Sequence, residues 1–255
     1  YGPCEGLVIT RYGYGRPTAG IEIALAAHPV PDQAGVDATA RMLDLLADLG
    51  PEDLVVMLIS GGASALLCAP AGVMTLAEKQ AVNAALLASG APIDQMNTLR
   101  KHLSRVKGGQ LAAAAAPAQV VALMISDVPG DDPAMIGSGP TVGDGSTTAD
   151  ALAIVERWGI GLPDSARVVL DGPTGVIPPN DPRLSGVDNR VVASPAQSLA
   201  AAAEMAVEAG FEVRILGDDL GGEAREVAAD HAALALAAQA GRTADYAEGV
   251  TAFLE

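Results

Sequence analysis

The stretch LVVMLISGGASALL, residues 54–67, decides the fold of this 255-residue chain. An apolar run over residues 54–59 ends in a turn of small residues, and a second apolar segment follows. This pattern predicts a buried strand, a glycine turn and a helix. Gly61 and Gly62 let the backbone approach a ligand closely, and free N–H groups at a helix start suit a phosphate or carboxylate. Glycines that serve only the packing of the turn are the alternative interpretation.

A second loop of the same kind lies in VVALMISDVPGDDPAMIGSGPT, residues 120–141. Here an apolar strand runs into a turn that holds three carboxylates, Asp127, Asp131 and Asp132. Clustered carboxylates repel one another, and hard oxygen ligands of this type suit Mg²⁺. The alternative is that Asp131 and Asp132 cap the next turn in water. Open α/β sheets bind ligands at the carboxyl ends of their strands, so the two loops together predict one shared site.

A basic segment, GAPIDQMNTLRKHLSRVKGGQL over residues 90–111, lies between these loops. It concentrates Arg100, Lys101, Arg105 and Lys107 in a chain whose formal net charge is −16. Scarce positive charge next to an acidic loop favours an anionic ligand held by both. The alternative is an amphipathic helix with its apolar side chains inward and its charges solvated. We interpret His102 as a hydrogen-bonded or exposed helix residue rather than a general base.

The remaining chain alternates strand and helix patterns, which predicts an α/β fold with a mostly parallel, doubly wound sheet. Strands are expected at residues 6–11, 54–60, 120–127, 189–193 and 212–216. Helices are expected at residues 33–49, 76–89, 93–105, 108–116, 147–158, 196–209 and 222–240. Residues 171–184, rich in Pro and Gly, are predicted to form a long surface loop.

Composition excludes several classes of function. The net charge of −16 argues against nucleic-acid binding, because contacts to phosphates need basic patches. The apolar runs are shorter than the roughly 18 residues of a membrane span, and no signal peptide is visible. Cys4 and Cys68 are too few for a disulfide framework, which favours a reducing cytoplasm.

Three long motifs are similar to the glycerate 2-kinase family, many of whose members carry the label hydroxypyruvate reductase. They are SGGASALL (60–67), GAPIDQMNTLRKHLSRVKGGQLA (90–112) and SDVPGDDPAMIGSGPTVGD (126–144). Further matches are AHPVPD (27–32), ASPAQS (193–198) and LGDDLGGEA (216–224). The resemblance predicts one domain of that family over residues 1–241 and leaves the tail, residues 242–255, unassigned.

The resemblance implies phosphorylation of D-glycerate at its 2-hydroxyl by ATP with Mg²⁺. It also implies a three-layer α/β/α Rossmann-like domain that is paired with a smaller C-terminal domain. The family pattern includes a Gly-Lys-Ala motif near its start and a C-terminal domain, and neither is recognisable in this chain. We therefore expect the chain to be part of a larger enzyme.

This hypothesis assigns a role to each candidate site residue. The catalytic candidates are Lys107, Arg100 and Asp127. The nucleotide-binding candidates are Ser60, Gly61, Gly62, Ala63, Ser64, Ser138 and Gly139. The Mg²⁺ candidates are Asp127, Asp131 and Asp132.

Two other functions stay open at this point. One is an NAD(P)H-dependent hydroxypyruvate reductase, although residues 60–64 do not match the G-x-G-x-x-G turn of dinucleotide sites. The other is a non-catalytic nucleotide-binding domain. The expected partner is a small-molecule substrate, D-glycerate or a related hydroxy acid, without nucleic acid or membrane. The sequence does not fix the oligomeric state, for which a homodimer is one candidate.

Overall fold

The structure is a computed structural model that describes residues 4–218 and 220–244. Its strands are β1 (Gly6–Arg11), β2 (Ile21–Ala26), β3 (Leu54–Ile59), β4 (Gln119–Ile125) and β5 (Val187–Ala193). Its helices are α1 (Gln33–Leu46), α2 (Ala63–Leu66), α3 (Leu76–Ser89), α4 (Ile93–His102), α5 (Gln110–Ala114), α6 (Thr148–Arg157), α7 (Asp164–Leu170), α8 (Pro195–Glu208) and α9 (Ala224–Ala244).

Two pairs of strands are parallel. β1 pairs with β2 from Gly6 opposite Ile21 onward, and β3 pairs with β4 from Leu54 opposite Gln119 onward. β5 lies on the other side of β4 in the order β3-β4-β5. The predicted α/β class with parallel strands is confirmed, although the described strands form two sheets and not one.

The chain divides into two compact units. The first holds residues up to Ile125 together with Pro133–Val191, and the second holds Ser126–Asp132 together with the chain from Val192 onward. The acidic loop therefore belongs to the second unit, while the glycine turn and the basic segment belong to the first. The predicted single domain over residues 1–241 stays a prediction, and most of the unassigned tail, residues 245–255, lies outside the described residues.

Helices α3, α4, α6 and α7 of the first unit share an apolar core. Leu86 of α3 and Leu99 of α4 are fully buried, together with Leu103 and Leu170. Each buried leucine contributes about 1.5–3 kcal/mol relative to an exposed one. This core fixes α4, which carries Arg100 and Lys101 of the basic segment.

Several predicted elements differ in the structure. Residues 212–216 alternate like a strand but form none, and no described segment pairs with them. β2 and α7 are found where no element was expected, because short apolar runs do not distinguish strand, helix and loop by periodicity. The predicted surface loop at 171–184 contains no α-helix or strand, as expected.

Helix α4 ends at His102, three residues earlier than predicted. The next residues pair with the segment after α2: Ala71 N donates to Leu103 O at 3.3 Å, and Arg105 N donates to Ala69 O at 3.0 Å. Tertiary hydrogen bonds therefore replace the last helical turn that the sequence pattern favours.

Candidate functional site

Lys107 is the centre of a buried polar network in the first unit. Only 2 % of the residue surface is exposed. Among the described residues its ammonium finds three acceptors, one for each N–H: Ser64 O at 2.8 Å, Ser64 Oγ at 2.9 Å and Gly137 O at 3.4 Å. The basic segment is thereby tied to both the glycine turn and the loop at 136–141.

A chain of hydroxyl groups extends this network to Arg100. Ser64 Oγ lies 2.9 Å from Ser138 Oγ, which donates to Asn97 Oδ1 at 3.1 Å. Arg100 Nη1 donates to the same Asn97 oxygen at 3.3 Å. Because Lys107 and Arg100 can act only as donors, the bonds run from both cations toward Asn97. Lys107, Arg100, Ser64 and Ser138, all predicted site residues, are thus brought together.

Backbone hydrogen bonds hold the loop at 136–141 against the basic segment. Gly108 N donates to Ser138 O at 3.2 Å, and Gly109 N donates to Gly139 O at 2.8 Å. Gly139 has φ 62°, and a Cβ there would lie 2.8 Å from Ala134 O, closer than real Cβ contacts. Glycine is therefore required at Gly139 for the loop to close.

The glycine turn is built as the sequence predicts, but its helix is short. Gly62 has φ 82° and precedes α2, which has four residues. The dipole of so short a helix contributes little, since the effect depends on aligned peptide units. Ala63 N donates to Ser60 O at 3.3 Å, so this N–H is engaged within the turn. Ser60 and Gly61 are exposed, whereas Gly62 and Ser64 are half-buried.

Burial sets the electrostatics of the two cations. It lowers the pKa of Lys107 well below its usual value, with further lowering from the charges of Lys79 and Arg100. Burial also lowers the pKa of the half-buried Arg100 guanidinium. The three acceptors around Lys107 nevertheless match the ammonium form. An anion bound nearby would favour that charged form further.

The acidic loop is built differently, within the second unit. Ser126 N donates to Ala193 O at 2.8 Å and anchors the start of the loop. Asp127 and Asp132 are exposed. Asp131 has φ 55°, unusual for a residue with a side chain. Its Oδ1 is buried and has no hydrogen-bond partner among the described residues.

A second buried network lies on α4, and sequence reasoning missed it. Lys101 forms an ion pair with Asp144, which also accepts from Ser146 N at 2.8 Å. His102 Nε2 lies 3.1 Å from Ser146 Oγ, and His102 Nδ1 lies 2.7 Å from Thr174 Oγ1. Of the two environments predicted for His102, hydrogen-bonded or exposed, the structure shows the first. Lys101 is buried too, so its charge is not solvated as the amphipathic-helix alternative expected.

The partners in this second network are separated by more than forty positions in the chain, so no local motif could have revealed them. Asn97 is different. Its spacing of three residues before Arg100 places the two on nearly one helix face, and this signal is readable from sequence.

The described residues contain neither a cluster of metal ligands nor a membrane-spanning helix. Within residues 4–218 and 220–244, no group of three or more His, Cys, Asp or Glu side chains is arranged to hold a metal ion. No helix of the described part of the chain is long and apolar enough to cross a membrane.

Comparison with known proteins identifies the family. Residues 1–171 match the family model "Domain of unknown function (DUF4147)". An Agrobacterium vitis protein with a provisional hydroxypyruvate reductase name is 55% identical over 235 residues, which cover 92% of this chain and 53% of that protein. The D-glycerate 2-kinase of Thermotoga maritima is 40% identical over 223 residues, covering 87% of this chain and 52% of that protein.

The fold is similar to that of a solved glycerate kinase. A crystal structure of glycerate kinase from Thermotoga maritima matches with a TM-score of 0.74 and 40% identity, over 83% of this chain and 50% of that one. The chain thus spans about half the length of the relatives it matches. The predicted family resemblance is confirmed. The chain belongs to the DUF4147 family, whose domain is found in members of the glycerate 2-kinase family.

Proposed function

We propose that this chain is the part of a glycerate 2-kinase that binds ATP and D-glycerate and yields 2-phosphoglycerate. The observation that carries this proposal is the network in which Lys107 joins the glycine turn to the loop at 136–141. Phosphoryl transfer needs positioning and charge neutralisation more than covalent chemistry from the protein. A rigid, cationic junction of two glycine-containing loops supplies both.

Each candidate residue has a role that follows from its chemistry. The nucleotide phosphates lie against the turn Ser60–Ser64, with Ser138 and Gly139. The N–H groups of Ala63, Ser138 and Gly139 already donate to backbone carbonyls, so the donors to phosphate are other N–H groups of the turn. Arg100 binds the glycerate carboxylate, because a guanidinium can form two parallel hydrogen bonds with a carboxylate. Lys107 acts as a fixed positive charge near the phosphates. Its N–H groups are already paired, so its contribution is electrostatic rather than a direct hydrogen bond to phosphate.

Mg²⁺ fits the chemistry of the acidic loop. Asp127, Asp131 and Asp132 would hold it, and the unpaired buried oxygen of Asp131 is a group that a cation would satisfy. Mg²⁺ usually takes one or two carboxylates and completes its shell with water and phosphate oxygens, so a larger cluster of protein ligands is unnecessary. When bound, it would neutralise phosphate charge.

A reductase is the second candidate, favoured by the hydroxypyruvate reductase name of two Agrobacterium vitis relatives. The turn after β3 reads Ser60-Gly61-Gly62-Ala63-Ser64 and lacks the glycine spacing of a dinucleotide site. The first unit instead offers buried cations and hydroxyl groups, which suit phosphates. We therefore favour the kinase over both the reductase and a non-catalytic nucleotide-binding domain.

The remaining assignments are part of the same proposal. The family domain extends over residues 1–241, and the enzyme works in the cytoplasm, in keeping with the free thiols of Cys4 and Cys68. A homodimer is the proposed oligomeric state. It is testable by sedimentation of the purified protein.

One coupled assay tests the reaction directly. The intact enzyme is given D-glycerate with ATP and Mg²⁺, and in parallel hydroxypyruvate with NADH. The kinase predicts ADP formation that depends on glycerate and no oxidation of NADH. Turnover of hydroxypyruvate with NADH, without ADP formation, would replace the kinase by the reductase. Absence of both reactions, with ATP still bound, would favour the binding domain.

The nucleotide-binding turn has its own test. Gly61→Val adds bulk where the backbone must approach the phosphates, and Gly61 is exposed, so its fold cost should be small. Calorimetry should show loss of ATP binding with little change in the melting temperature. Unchanged ATP affinity in a folded Gly61→Val protein would make the turn purely structural.

A further inference from the structure

Two exposed tyrosines stand out in a chain with few aromatic residues. Aromatic residues make up 3% of the sequence. Tyr12 is 55% exposed and Tyr14 is 57% exposed, both in the turn that follows β1. An exposed aromatic ring contributes little hydrophobic stabilisation to the fold, so two exposed tyrosines on one turn indicate a functional role.

The turn is held in a defined shape. Tyr14 N donates to Arg11 O at 3.1 Å, which closes a four-residue β-turn over Arg11–Tyr14. Gly13 has φ 82°, the positive value that the third residue of a type II turn requires. Tyr12 N donates to Ala26 O at 3.2 Å and ties the turn to the end of β2. The backbone of the two tyrosines is therefore fixed by the ends of two strands.

The rings are held as well. The Tyr12 hydroxyl donates to Asp32 Oδ2 at 2.7 Å, while Asp32 Oδ1 accepts from Gly35 N at the start of α1. The Arg11 guanidinium carbon lies 3.7 Å from the centre of the Tyr14 ring. A pre-ordered ring loses less entropy when a ligand stacks on it.

This aromatic turn, Arg11–Tyr14, lies at the carboxyl end of β1, the edge at which open parallel sheets generally bind ligands. β1 and β2 run parallel, and the turn follows the carboxyl end of β1. His28 follows the end of β2 and packs on the glycine turn, since a Cβ placed on Gly62 would lie 2.9 Å from His28 Nε2. Tyr12 bonds to Asp32, and Gly62 lies against His28. The aromatic turn and the glycine turn therefore adjoin the same short segment, residues 28–32.

We propose that the aromatic turn binds the nucleobase of the nucleotide by stacking. This rests on the proposed function, which puts the phosphates on the glycine turn. A base has a planar π-face that Tyr rings and an Arg guanidinium recognise, and such stacking strengthens binding by about 10-fold per base. The aromatic turn then supplies base affinity, and the glycine turn and Lys107 supply phosphate affinity.

Calorimetry on the intact protein separates these two contributions, with ATP and inorganic tripolyphosphate as probes. Tripolyphosphate carries the phosphates without the base. Tyr14→Ala and Tyr12→Ala should each weaken ATP binding about 10-fold and leave tripolyphosphate binding unchanged. Tyr14→Phe keeps the ring and should bind ATP like the wild type. Tyr12→Phe keeps the ring but loses the bond to Asp32, so its ATP affinity should fall less than that of Tyr12→Ala.

The wild-type protein offers a measurement that no folding defect can disturb. It should bind ATP about 10-fold or more tightly than tripolyphosphate. Equal affinities, or alanine variants that weaken both probes alike, would overturn the nucleobase site while the kinase proposal stood. Failure of ATP to bind the wild type at all would overturn both.

Discussion

The network around Lys107 and the acidic loop after β4 carry opposite charges and are built in opposite ways. In the network, Lys107 is buried and each of its N–H groups has an acceptor. In the loop, Asp127 and Asp132 are exposed, and a buried Asp131 oxygen has no partner among the residues described. The cationic region is thus satisfied by the fold itself, whereas the anionic region keeps an oxygen that a ligand could satisfy.

This difference predicts which property each mutation changes. Breaking a satisfied buried network leaves polar groups unpaired and costs stability. Removing an exposed carboxylate costs the fold little but removes a ligand for a cation. We therefore expect mutations in the network to lower both stability and activity, and mutations in the loop to lower activity alone.

The largest effect is expected for Asp127→Asn. Losing this charge should lower Mg²⁺-dependent ATP turnover on the order of 100-fold, since metal neutralisation of phosphate contributes several kcal/mol. The melting temperature should change little. Asp188→Asn is the matched control, because Asp188 is an exposed carboxylate paired with Arg190. Near-normal turnover of Asp127→Asn with an unchanged Mg²⁺ requirement would remove the loop from the site.

Lys107→Met should cost both stability and activity. The apolar side chain keeps the volume but leaves Ser64 O and Gly137 O without their donor, so we expect unfolding free energy to fall by about 2–3 kcal/mol. Urea denaturation measures this change. Arg105→Met is the control, because Arg105 is an exposed cation of the same segment. A Lys107→Met protein as stable as the wild type would contradict the satisfied network.

Lys79 is a second buried cation, and among the described residues its ammonium has one hydrogen-bond acceptor where that of Lys107 has three. Its Nζ donates to Leu103 O at 3.0 Å, and burial lowers the pKa of Lys79 to about 8. Between pH 8 and the unfolded pKa of 10.5, the unfolded chain binds more protons at Lys79 than the folded chain. The contribution of Lys79 to stability therefore rises with pH, by up to about 1.4 kcal/mol per pH unit.

Denaturation at several pH values checks this slope. The stability of the wild type relative to Lys79→Met should increase from pH 8 to pH 10. A difference that stays constant over this range would mean that the pKa of Lys79 is not lowered in the folded protein.

The smallest effect is expected for Arg100→Lys. The charge remains, but the two-pronged contact with a carboxylate is lost, so the KM for glycerate should rise about 10-fold. Arg105→Lys is the matched control and should be kinetically silent. If Arg100→Lys and Lys107→Ala were both silent, the basic segment would lie outside the active site.

Much of the fold follows from local patterns that sequence reasoning can read. Leu76–Ser89 forms a helix with the predicted bounds, because Thr75 and Glu78 cap it reciprocally and Gly90 ends it at φ 73°. Gly6–Arg11 likewise forms the predicted strand. By contrast, Ile21–Ala26 is a strand because β1 lies next to it, and a neighbour of this kind is invisible in a short apolar run.

By itself, the sequence determined the parallel α/β class and the two glycine-containing loops, because each is encoded in neighbouring positions. It also named Lys107, Arg100, Ser64 and Ser138 as candidates, each within its own local motif. Only the tertiary structure decided that Lys107 is buried, that Ser64 and Ser138 bridge it to Asn97, and that His102 is enclosed by Ser146 and Thr174. Such contacts join residues tens of positions apart. Packing selects them, since a buried polar group must find whichever partner the fold brings within reach.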